Sequence, residues 1–353
     1  MARKKKVMGV NATALQVLIG LVLAGASALF FGKEQVTQYI PSLAQNNNRC
    51  LSQFYADQPP YLSRASLEQN SFPLCFNGFN VMYSGISKTP LWTAEHLTVS
   101  RLSQKIPRED QFHEESRVPQ QYRALLSDYR GSGYDRGHMA PNGDMGDRAS
   151  QKDSFSLANM VPQAPKNNQE VWRKLEEATR SLVLKNKQEI YVVTGPVYRS
   201  KKLKTIGKGV IVPDATYKVL YIPKTGVLSA YYAPNNNSLQ VQVISVCQLE
   251  EYTGINFFPS LSTDQKRNVY RLPLSAAQVK ANKPIAYDRW DGSSRCAEAV
   301  SSERVQKLQK RFQSSTSDGN IENQSTLNSQ ANASESELQQ LIKNVLRQLL
   351  AQL

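Results

Sequence analysis

The residues best suited to chemistry fall in two clusters near the middle of the chain. In the first, His138 could take a proton from water near neutral pH, and Arg136 could hold a phosphate through two parallel hydrogen bonds. In the second, Asn168 and Glu176 offer oxygen atoms that suit a hard divalent cation such as Mg²⁺. A base, a cation for phosphate and ligands for a metal are the components of a metal-assisted phosphodiesterase.

The first cluster is predicted to be extended. The side chains of Arg136 and His138 would then lie on one face, while Asp135 would point the other way and could orient neighbouring groups. The same residues would also fit a glycine-rich turn with an arginine–aspartate pair. Four glycines near the histidine would let a substrate backbone approach closely: Gly131, Gly133, Gly137 and Gly143.

The second cluster is predicted to be helical, over residues 167–185. Asn168, Trp172, Glu176 and Arg180 recur every four residues and would follow one slowly drifting face of the helix. Arg180 could pair with Glu176 or bind phosphate. The alternative is a helix start, a core tryptophan and a surface ion pair without a chemical role.

Strands are expected on both sides of this helix, which indicates an α+β domain. Asn167, followed three residues later by Glu170, has the spacing of a capping box and would start the helix. The strand predictions rest on Val, Ile and Tyr between Gly, Pro and Asn turns. They cover residues 80–83, 97–101, 189–194, 210–212, 217–222, 228–233 and 240–246.

The chain is strongly basic, with a net charge of +14 over 353 residues. Residues 1–32 carry +4 and residues 312–353 carry −2, so residues 33–311 carry the remaining +12. Such a body favours a polyanionic partner, either nucleic acid or an anionic membrane surface. The alternative is a solvated basic surface.

The N-terminal residues 1–32 are predicted to direct export. A basic flank precedes the apolar residues 14–31, which approach the ~20 residues that a membrane-spanning helix needs. The segment could be an anchor that leaves the body facing the periplasm or the extracellular side. It could also be a cleaved signal peptide, because Ala-Ser-Ala at residues 26–28 resembles a signal-peptidase site, and the body would then be secreted.

The rest of the chain divides by composition. Residues 33–66 are polar and turn-rich and are predicted to be a linker before a compact domain over residues 67–311. Residues 312–334 are predicted to be a disordered linker. Residues 335–353 place their leucines on one helical stripe, which predicts an amphipathic helix that could pack on the domain, form a homo-oligomer, or bind another helix or a membrane.

The four cysteines contain no C-x-x-C spacing, which disfavours a zinc site. An even number in an exported chain predicts two disulfides, and Cys50–Cys75 with Cys247–Cys296 is the simplest of three pairings. Four free thiols are the alternative.

The segment DRGHMAP at residues 135–141 resembles the DRGH signature of the DNA/RNA non-specific endonucleases. This is the ββα-metal nuclease family, which includes mitochondrial endonuclease G and secreted bacterial nucleases. Further blocks resemble family blocks in the same order: PLWTAEHLT from Pro90, DYRGSGYDRGH from Asp128, LANMVPQ from Leu157, NQEVWRKLE from Asn168, VVTGPVY from Val192 and TGINFFP from Thr253. The resemblance covers residues 75–262. It implies a central antiparallel sheet with a metal-site helix, to which this chain adds the N-terminal hydrophobic helix and the C-terminal amphipathic helix.

Matched position by position, the resemblance implies roles for these residues in a hydrolysis that uses a single metal ion. The ion would be Mg²⁺, for which Mn²⁺ could substitute. His138 would be the general base, Asn168 the direct metal ligand and Glu176 a ligand through water. DNA and RNA would both be cut, with little dependence on sequence, to give 5′-phosphates.

The remaining implied roles concern the phosphate. Arg136 and Arg180 would steady it and its developing charge, and Asn159 would orient groups in the site. An arginine upstream of the signature serves some relatives, and Arg117 is the candidate here. A second hypothesis is a membrane-tethered nucleic-acid-binding or uptake component with little catalysis. A third is a scaffold that assembles through the C-terminal helix.

Overall fold

The structure of the protein is a computed structural model, and it describes residues 49–315. The predicted N-terminal hydrophobic helix and C-terminal amphipathic helix lie outside the described residues, as does most of the linker predicted over residues 312–334. No helix within residues 49–315 is long and apolar enough to cross a bilayer.

The described chain contains fifteen β-strands. They are β1 (Tyr61–Leu62), β2 (Ser71–Cys75), β3 (Asn80–Ser84), β4 (Thr89–Leu97), β5 (Asp135–His138), β6 (Met160–Gln163), β7 (Ile190–Val197), β8 (Thr205–Ile206), β9 (Val210–Ile211), β10 (Ala215–Ile222), β11 (Val227–Pro234), β12 (Gln242–Ile244), β13 (Ile255–Asn256), β14 (Asn268–Tyr270) and β15 (Tyr287–Trp290).

The described chain also contains eight α-helices. They are α1 (Ala65–Glu68), α2 (Val99–Leu102), α3 (Leu126–Tyr129), α4 (Arg148–Ser154), α5 (Arg173–Asn186), α6 (Val246–Thr253), α7 (Thr263–Arg267) and α8 (Ser302–Gln313). A π-helical segment, Asn167–Trp172, leads directly into α5. Short 3-10 turns cover Leu51–Gln53, Tyr55–Asp57, Gln120–Tyr122, Asn142–Asp144, Leu157–Asn159 and Ala276–Gln278.

A seven-stranded sheet forms the centre of the domain, in the order β12-β11-β10-β7-β4-β3-β2. Every neighbouring pair in it is antiparallel. Four two-stranded ribbons surround it, namely β1–β13, β5–β6, β8–β9 and β14–β15. The predicted α+β class with a central antiparallel sheet is confirmed.

The two faces of the sheet bury different layers. On one face, Trp92 and Tyr217 belong to an apolar cluster that includes Phe312 of α8. On the other face, Leu220 belongs to a cluster that includes Leu175 of α5. Because side chains alternate along a strand, the covered sheet explains why all eight residues of β10 are buried.

Part of the α5 face is polar although it is buried. Thr93 and Glu95 alternate along β4 with the core residues Trp92 and Ala94. Glu95 is 0% exposed, and Lys218 on β10 is 1% exposed. Buried charges are costly unless they are paired, and Arg101 pairs with Glu95 while Lys218 donates to Thr194.

Three boundary predictions are wrong. The linker predicted over residues 33–66 is incorrect for residues 50–66, because Cys50 and Phe54 are buried in the core and β1 pairs with β13. The strand predicted at 97–101 is the end of β4 followed by α2. Helix α8 continues to Gln313, two residues into the predicted disordered linker.

The capping prediction for Asn167 is also incorrect. Its side chain is buried, accepts from Gln163 Nε2 and donates to the backbone oxygen of Pro234 over 2.9 Å. It therefore joins the helix start to β6 and β11, and it does not cap the helix.

Both predicted disulfides are present, Cys50–Cys75 and Cys247–Cys296. The first joins the start of the domain to β2. The last described residue reaches the same position, since the backbone N–H of Cys75 donates to the backbone oxygen of Ser315 over 3.1 Å.

Candidate active site

The β5–β6 ribbon positions His138 and Arg136. His138 pairs with Met160 in antiparallel register, and Arg136 pairs with Pro162. Residues two apart on a strand face the same way, and both side chains line one cleft. A side chain at Gly137 would collide with Gln163, so this glycine permits close packing inside the ribbon.

Asn159 holds the backbone that follows the histidine. Its Oδ1 accepts from the N–H of Ala140 over 2.9 Å, and its Nδ2 donates to the oxygens of Ala140 and Ser154 over 2.8 and 3.0 Å. The backbone oxygen of Asn159 also accepts from the backbone N–H of Met139. Asn159 is 0% exposed, so it holds this segment from the interior of the protein.

The imidazole of His138 lies between aromatic rings. The rings of Phe155 and Phe112 are 5.2 and 5.7 Å from it, centroid to centroid. Burial and the positive charges of Arg108 and Arg136 lower the pKa of His138 to about 3. Its Nε2 is buried and has no hydrogen-bond partner among residues 49–315. The ring is therefore a neutral base with a free nitrogen.

The π-helical segment brings Asn168 to the cleft beside Glu176. The backbone N–H of Arg173 donates to the backbone oxygen of Asn168, five residues earlier in the chain. A π turn absorbs one extra residue, so the eight-residue step from Asn168 to Glu176 has the phase of seven. Seven residues fall only about 20° short of two full turns. Trp172, at the predicted four-residue spacing, is instead buried in the core.

Asp135 orients the Asn168 amide. One carboxylate oxygen of Asp135 accepts from Nδ2 of Asn168 over 2.9 Å and from Nε2 of Gln169 over 2.8 Å. Because the nitrogen of Asn168 faces Asp135, its oxygen is left for a ligand in the cleft.

Glu176 lies above the buried polar layer of the sheet. Burial raises the pKa of Glu176 to about 7, against the opposing positive charges of Lys218 and Arg180. Burial and the neighbouring carboxylate of Asp144 also raise the pKa of Glu95, to about 8. Three cations lie among these carboxylates, namely Arg101, Arg180 and Lys218, and Nη2 of Arg101 is 3.2 Å from Oε1 of Glu95. Burial is therefore the main cause of both raised pKa values.

Arg180 borders the same carboxylates. Its Nη1 lies 2.8 Å from Oδ1 of Asp144, which is buried. An added Cβ at Gly143 would lie 2.9 Å from that nitrogen, so Gly143 leaves the arginine room to pass into the cleft. The pair fixes one edge of the guanidinium group.

The cleft that contains these residues has a volume of about 1380 Å³. It joins Arg136, His138, Asn168, Glu176 and Arg180, which the sequence nominated. Asp135, which was expected to point away from Arg136 and His138, also lines the cleft, so that expectation is wrong. The charged lining residues that sequence reasoning did not assign to the site are Arg108, Asp110, Arg130, Glu170, Arg173 and Glu177.

Arg117 is not among the cleft residues, so its predicted phosphate role is not supported. Its guanidinium is paired with Glu115, at 2.7 Å between Nε and Oε1, and also donates to the oxygen of Cys75. Arg108, from the same irregular stretch, lines the cleft instead. No local signal distinguishes the two, because each arginine pairs with an acidic residue two positions away: Arg108 with Asp110, and Arg117 with Glu115.

The donors fit a hard divalent cation. The Asn168 oxygen is oriented by Asp135, and the Glu176 carboxylate lies in a site where burial opposes its charge. Oxygen donors of this kind are the ligands that Mg²⁺ prefers. A group at Cys247, Glu250 and Cys296 is also compact enough for a metal, but the two cysteines are joined in a disulfide.

Known proteins are similar to this chain. The family model for DNA/RNA non-specific endonucleases matches residues 61–264. Mitochondrial nuclease EXOG of Danio rerio is 35% identical over 205 residues, which are 52% of this chain and 60% of that protein. The nuclease of Nostoc sp. (strain PCC 7120) is 29% identical over 266 residues, 70% of this chain and 96% of that protein.

A solved structure has the same fold. A chain in a crystal structure of the EndoG/EndoGI complex superimposes with a TM-score of 0.50 and 28% identity, over 55% of this chain and 89% of that chain. The matched part of this chain spans less than two thirds of the Danio rerio relative. The family match itself covers more than half of this chain, so the protein belongs to the DNA/RNA non-specific endonuclease family.

Proposed function

We propose that the protein is a metal-dependent endonuclease that hydrolyses phosphodiester bonds of DNA and RNA with little sequence preference. The observation that best supports this is one cleft lined by His138, Asn168 and Glu176 together with Arg136 and Arg180. A protein that only binds nucleic acid needs cations but has no need of a neutral base beside oriented oxygen ligands.

His138 acts as the general base. Its pKa is lowered to about 3, so the imidazole is neutral at physiological pH and can accept a proton at a ring nitrogen. Phe112 and Phe155 restrict the ring, and Asn159 fixes the backbone after it. The base is therefore held ready before a substrate arrives.

Asn168 and Glu176 would hold the metal, and Mg²⁺ is the ion their oxygens suit, with Mn²⁺ as a substitute. The bound ion would supply Lewis-acid stabilisation of the charge that builds on the phosphate and the leaving oxygen. Arg136 and Arg180 would bind the phosphate and the same developing charge.

Contacts to phosphate explain the lack of sequence preference. Five arginines line the cleft: Arg108, Arg130, Arg136, Arg173 and Arg180. Cations bind the backbone that all sequences share, whereas discrimination needs contacts to base edges. We expect both nucleic acids to be cut, to 5′-phosphate products.

We also propose that the protein works outside the cytoplasm. Two disulfides favour an oxidising compartment. The apolar residues 14–31 suit either a signal anchor or a cleaved signal peptide. Protease accessibility in intact cells would test this, since a cytoplasmic protein would stay protected.

The deciding experiment incubates residues 33–353 with plasmid DNA or RNA, with Mg²⁺ or with a chelator. We expect both substrates to be cut only when metal is present. His138→Ala should lower the rate by about 10²–10⁴-fold, the usual contribution of a general base. His96→Ala is the matched control, because His96 stacks on Tyr191 outside the cleft. Full activity in His138→Ala would exclude the mechanism, and binding without cleavage by the wild-type chain would favour the binding component.

A further inference from the structure

A strongly basic loop connects β7 to the strands that follow it. Five cations occupy the ten residues 199–208, and no acidic residue occurs before Asp214. We call residues 200–209 the lysine loop. Its four lysines are all exposed, and no carboxylate among the described residues forms an ion pair with them: Lys201, Lys202, Lys204 and Lys208.

The backbone of the lysine loop is fixed at both ends. At its start, the Asp214 carboxylate accepts from the N–H groups of Arg199 and Ser200 over 2.6 and 2.9 Å. Further along, β8 pairs with β9, and the N–H of Val212 donates to the oxygen of Lys204 over 2.9 Å. Asp214 is therefore used by the backbone, and the lysine charges project from an ordered support.

That support is built on the wall of the cleft. The N–H of Lys208 donates to Oδ1 of Asp128 over 2.7 Å. Gly207 lies so close to Asp128 that a side chain would collide with its Cα. Ile206 is buried in one apolar cluster with Tyr129 and with Met160, the strand partner of His138. Tyr129 itself lines the cleft, so the loop and the cleft share one wall.

The charge of the cleft continues toward this loop. Arg130 lines the cleft two residues after Asp128, which holds Lys208. A polynucleotide strand carries a phosphate about every 3.4 Å of helix axis, so a strand that leaves the cleft across this wall continues to need cations. We propose that the lysine loop is a second phosphate-backbone site, for the part of the polynucleotide beyond the scissile bond. The proposal rests on the function proposed above.

The test is a full-length variant with Lys201, Lys202 and Lys204 each changed to Gln. For plasmid DNA we expect KM to rise roughly tenfold, because exposed ion pairs are individually weak but three are lost. The slope of log KM against log salt should become shallower by up to ~0.9 for each lost contact. For a short oligonucleotide that fills only the cleft, kcat and KM should both stay at their wild-type values.

A matched control changes three exposed lysines elsewhere, Lys224, Lys280 and Lys283, to Gln, which removes the same total charge. Equal KM and salt slope in the two triple variants would overturn the proposal, since only net charge would then matter. A second measurement is the affinity for plasmid DNA of each triple variant combined with His138→Ala. It reports on the loop even if the wild-type chain cuts neither substrate, an outcome that would count against the proposed function alone.

Discussion

Burial shifts the pKa of an ionisable residue on each side of the cleft, and the two shifts have opposite directions. On the ribbon side, burial lowers the pKa of His138 to about 3, and on the helix side it raises the pKa of Glu176 to about 7. Both shifts favour the uncharged form. The uncharged form of His138 can accept a proton, as the proposed base must. The uncharged form of Glu176 carries a proton, which hinders binding of the proposed metal.

The surroundings of the two groups match this difference. His138 lies against the rings of Phe112 and Phe155, and the positive charges of Arg108 and Arg136 add to the effect of burial on its pKa. Glu176 lies near the carboxylates of Asp144 and Glu95, which a cation would stabilise. If Asn168 and Glu176 hold a metal as proposed, the helix side gains a positive charge that the ribbon side does not need. The comparison makes four predictions, ordered here by expected effect.

Removing the proposed direct metal ligand should have the largest effect of these four changes. Asn168→Ala should lower the rate by about a thousandfold, because a Lewis acid is worth several kcal/mol in the transition state and each 1.36 kcal/mol is about tenfold. Single-turnover cleavage at saturating Mg²⁺ would measure it. Asn167→Ala is the neighbouring control and should lower Tm instead, since its side chain is buried and bonded to Pro234. A normal rate in Asn168→Ala would remove this residue from the metal site.

Disturbing the orientation of that ligand should have a smaller effect. Asp135→Asn takes away the charged acceptor of the Asn168 amide, so the Mg²⁺ concentration for half-maximal activity should rise about 10–100-fold. Calorimetric titration with Mg²⁺ checks the binding directly. Gln169→Ala is the control, since Gln169 donates to the same carboxylate but is itself exposed. An unchanged Mg²⁺ requirement would mean that Asp135 does not orient the ligand.

The pH dependence should separate the two sides. Below pH 7 the protonated form of Glu176 competes with the metal, so the affinity for Mg²⁺ should fall by about tenfold per pH unit. At saturating Mg²⁺, kcat should stay level from about pH 8 to pH 5, because His138 remains neutral far below the ordinary histidine pKa of about 6.5. Glu176→Gln should remove the pH dependence of Mg²⁺ binding. A fall in kcat near pH 6.5 at saturating metal would contradict the lowered pKa of His138.

The smallest change in activity concerns the two arginines of the irregular stretch. Arg108→Ala should reduce kcat/KM by roughly tenfold, the loss of one charge-assisted phosphate contact, with Tm unchanged. Arg117→Ala should leave kcat/KM unaltered and reduce the free energy of unfolding by about 3 kcal/mol, because Glu115 would be left buried without its partner. Chemical denaturation beside steady-state kinetics distinguishes them, and the reverse assignment would restore Arg117 as the phosphate contact.

Local spacing together with the resemblance to the endonuclease family nominated five residues of the cleft, namely Arg136, His138, Asn168, Glu176 and Arg180. Arg136 and His138 are neighbours on a single strand, and Glu176 and Arg180 lie one turn apart on a single helix. The π turn that aligns Asn168 with Glu176 was not predicted, because one absorbed residue leaves no mark in a four-residue pattern.

The buried charges beneath the site could not have been found in this way. Glu95, Asp144 and Lys218 come from three distant parts of the chain, and only the sheet register and the packing of α5 bring them together. The early core residues were missed for a different reason. Leu51 and Phe54 lie among polar residues that are typical of a linker, and burial there depends on partners such as Phe312.

Cys50, the second described residue, and Ser315, the last, both contact Cys75 at the end of β2. Cys50 is bonded to Cys75, whose N–H bonds to Ser315, and Arg117 donates to the backbone oxygens of both Cys75 and Ser315. The folded path from Cys50 to Ser315 is thus nearly a ring. A circular permutant that joins Ser315 to Cys50 by a short linker, and opens the chain in an exposed turn far from the cleft, would keep every contact of the site. The position of the chain termini could therefore be changed without changing the fold that positions the cleft residues.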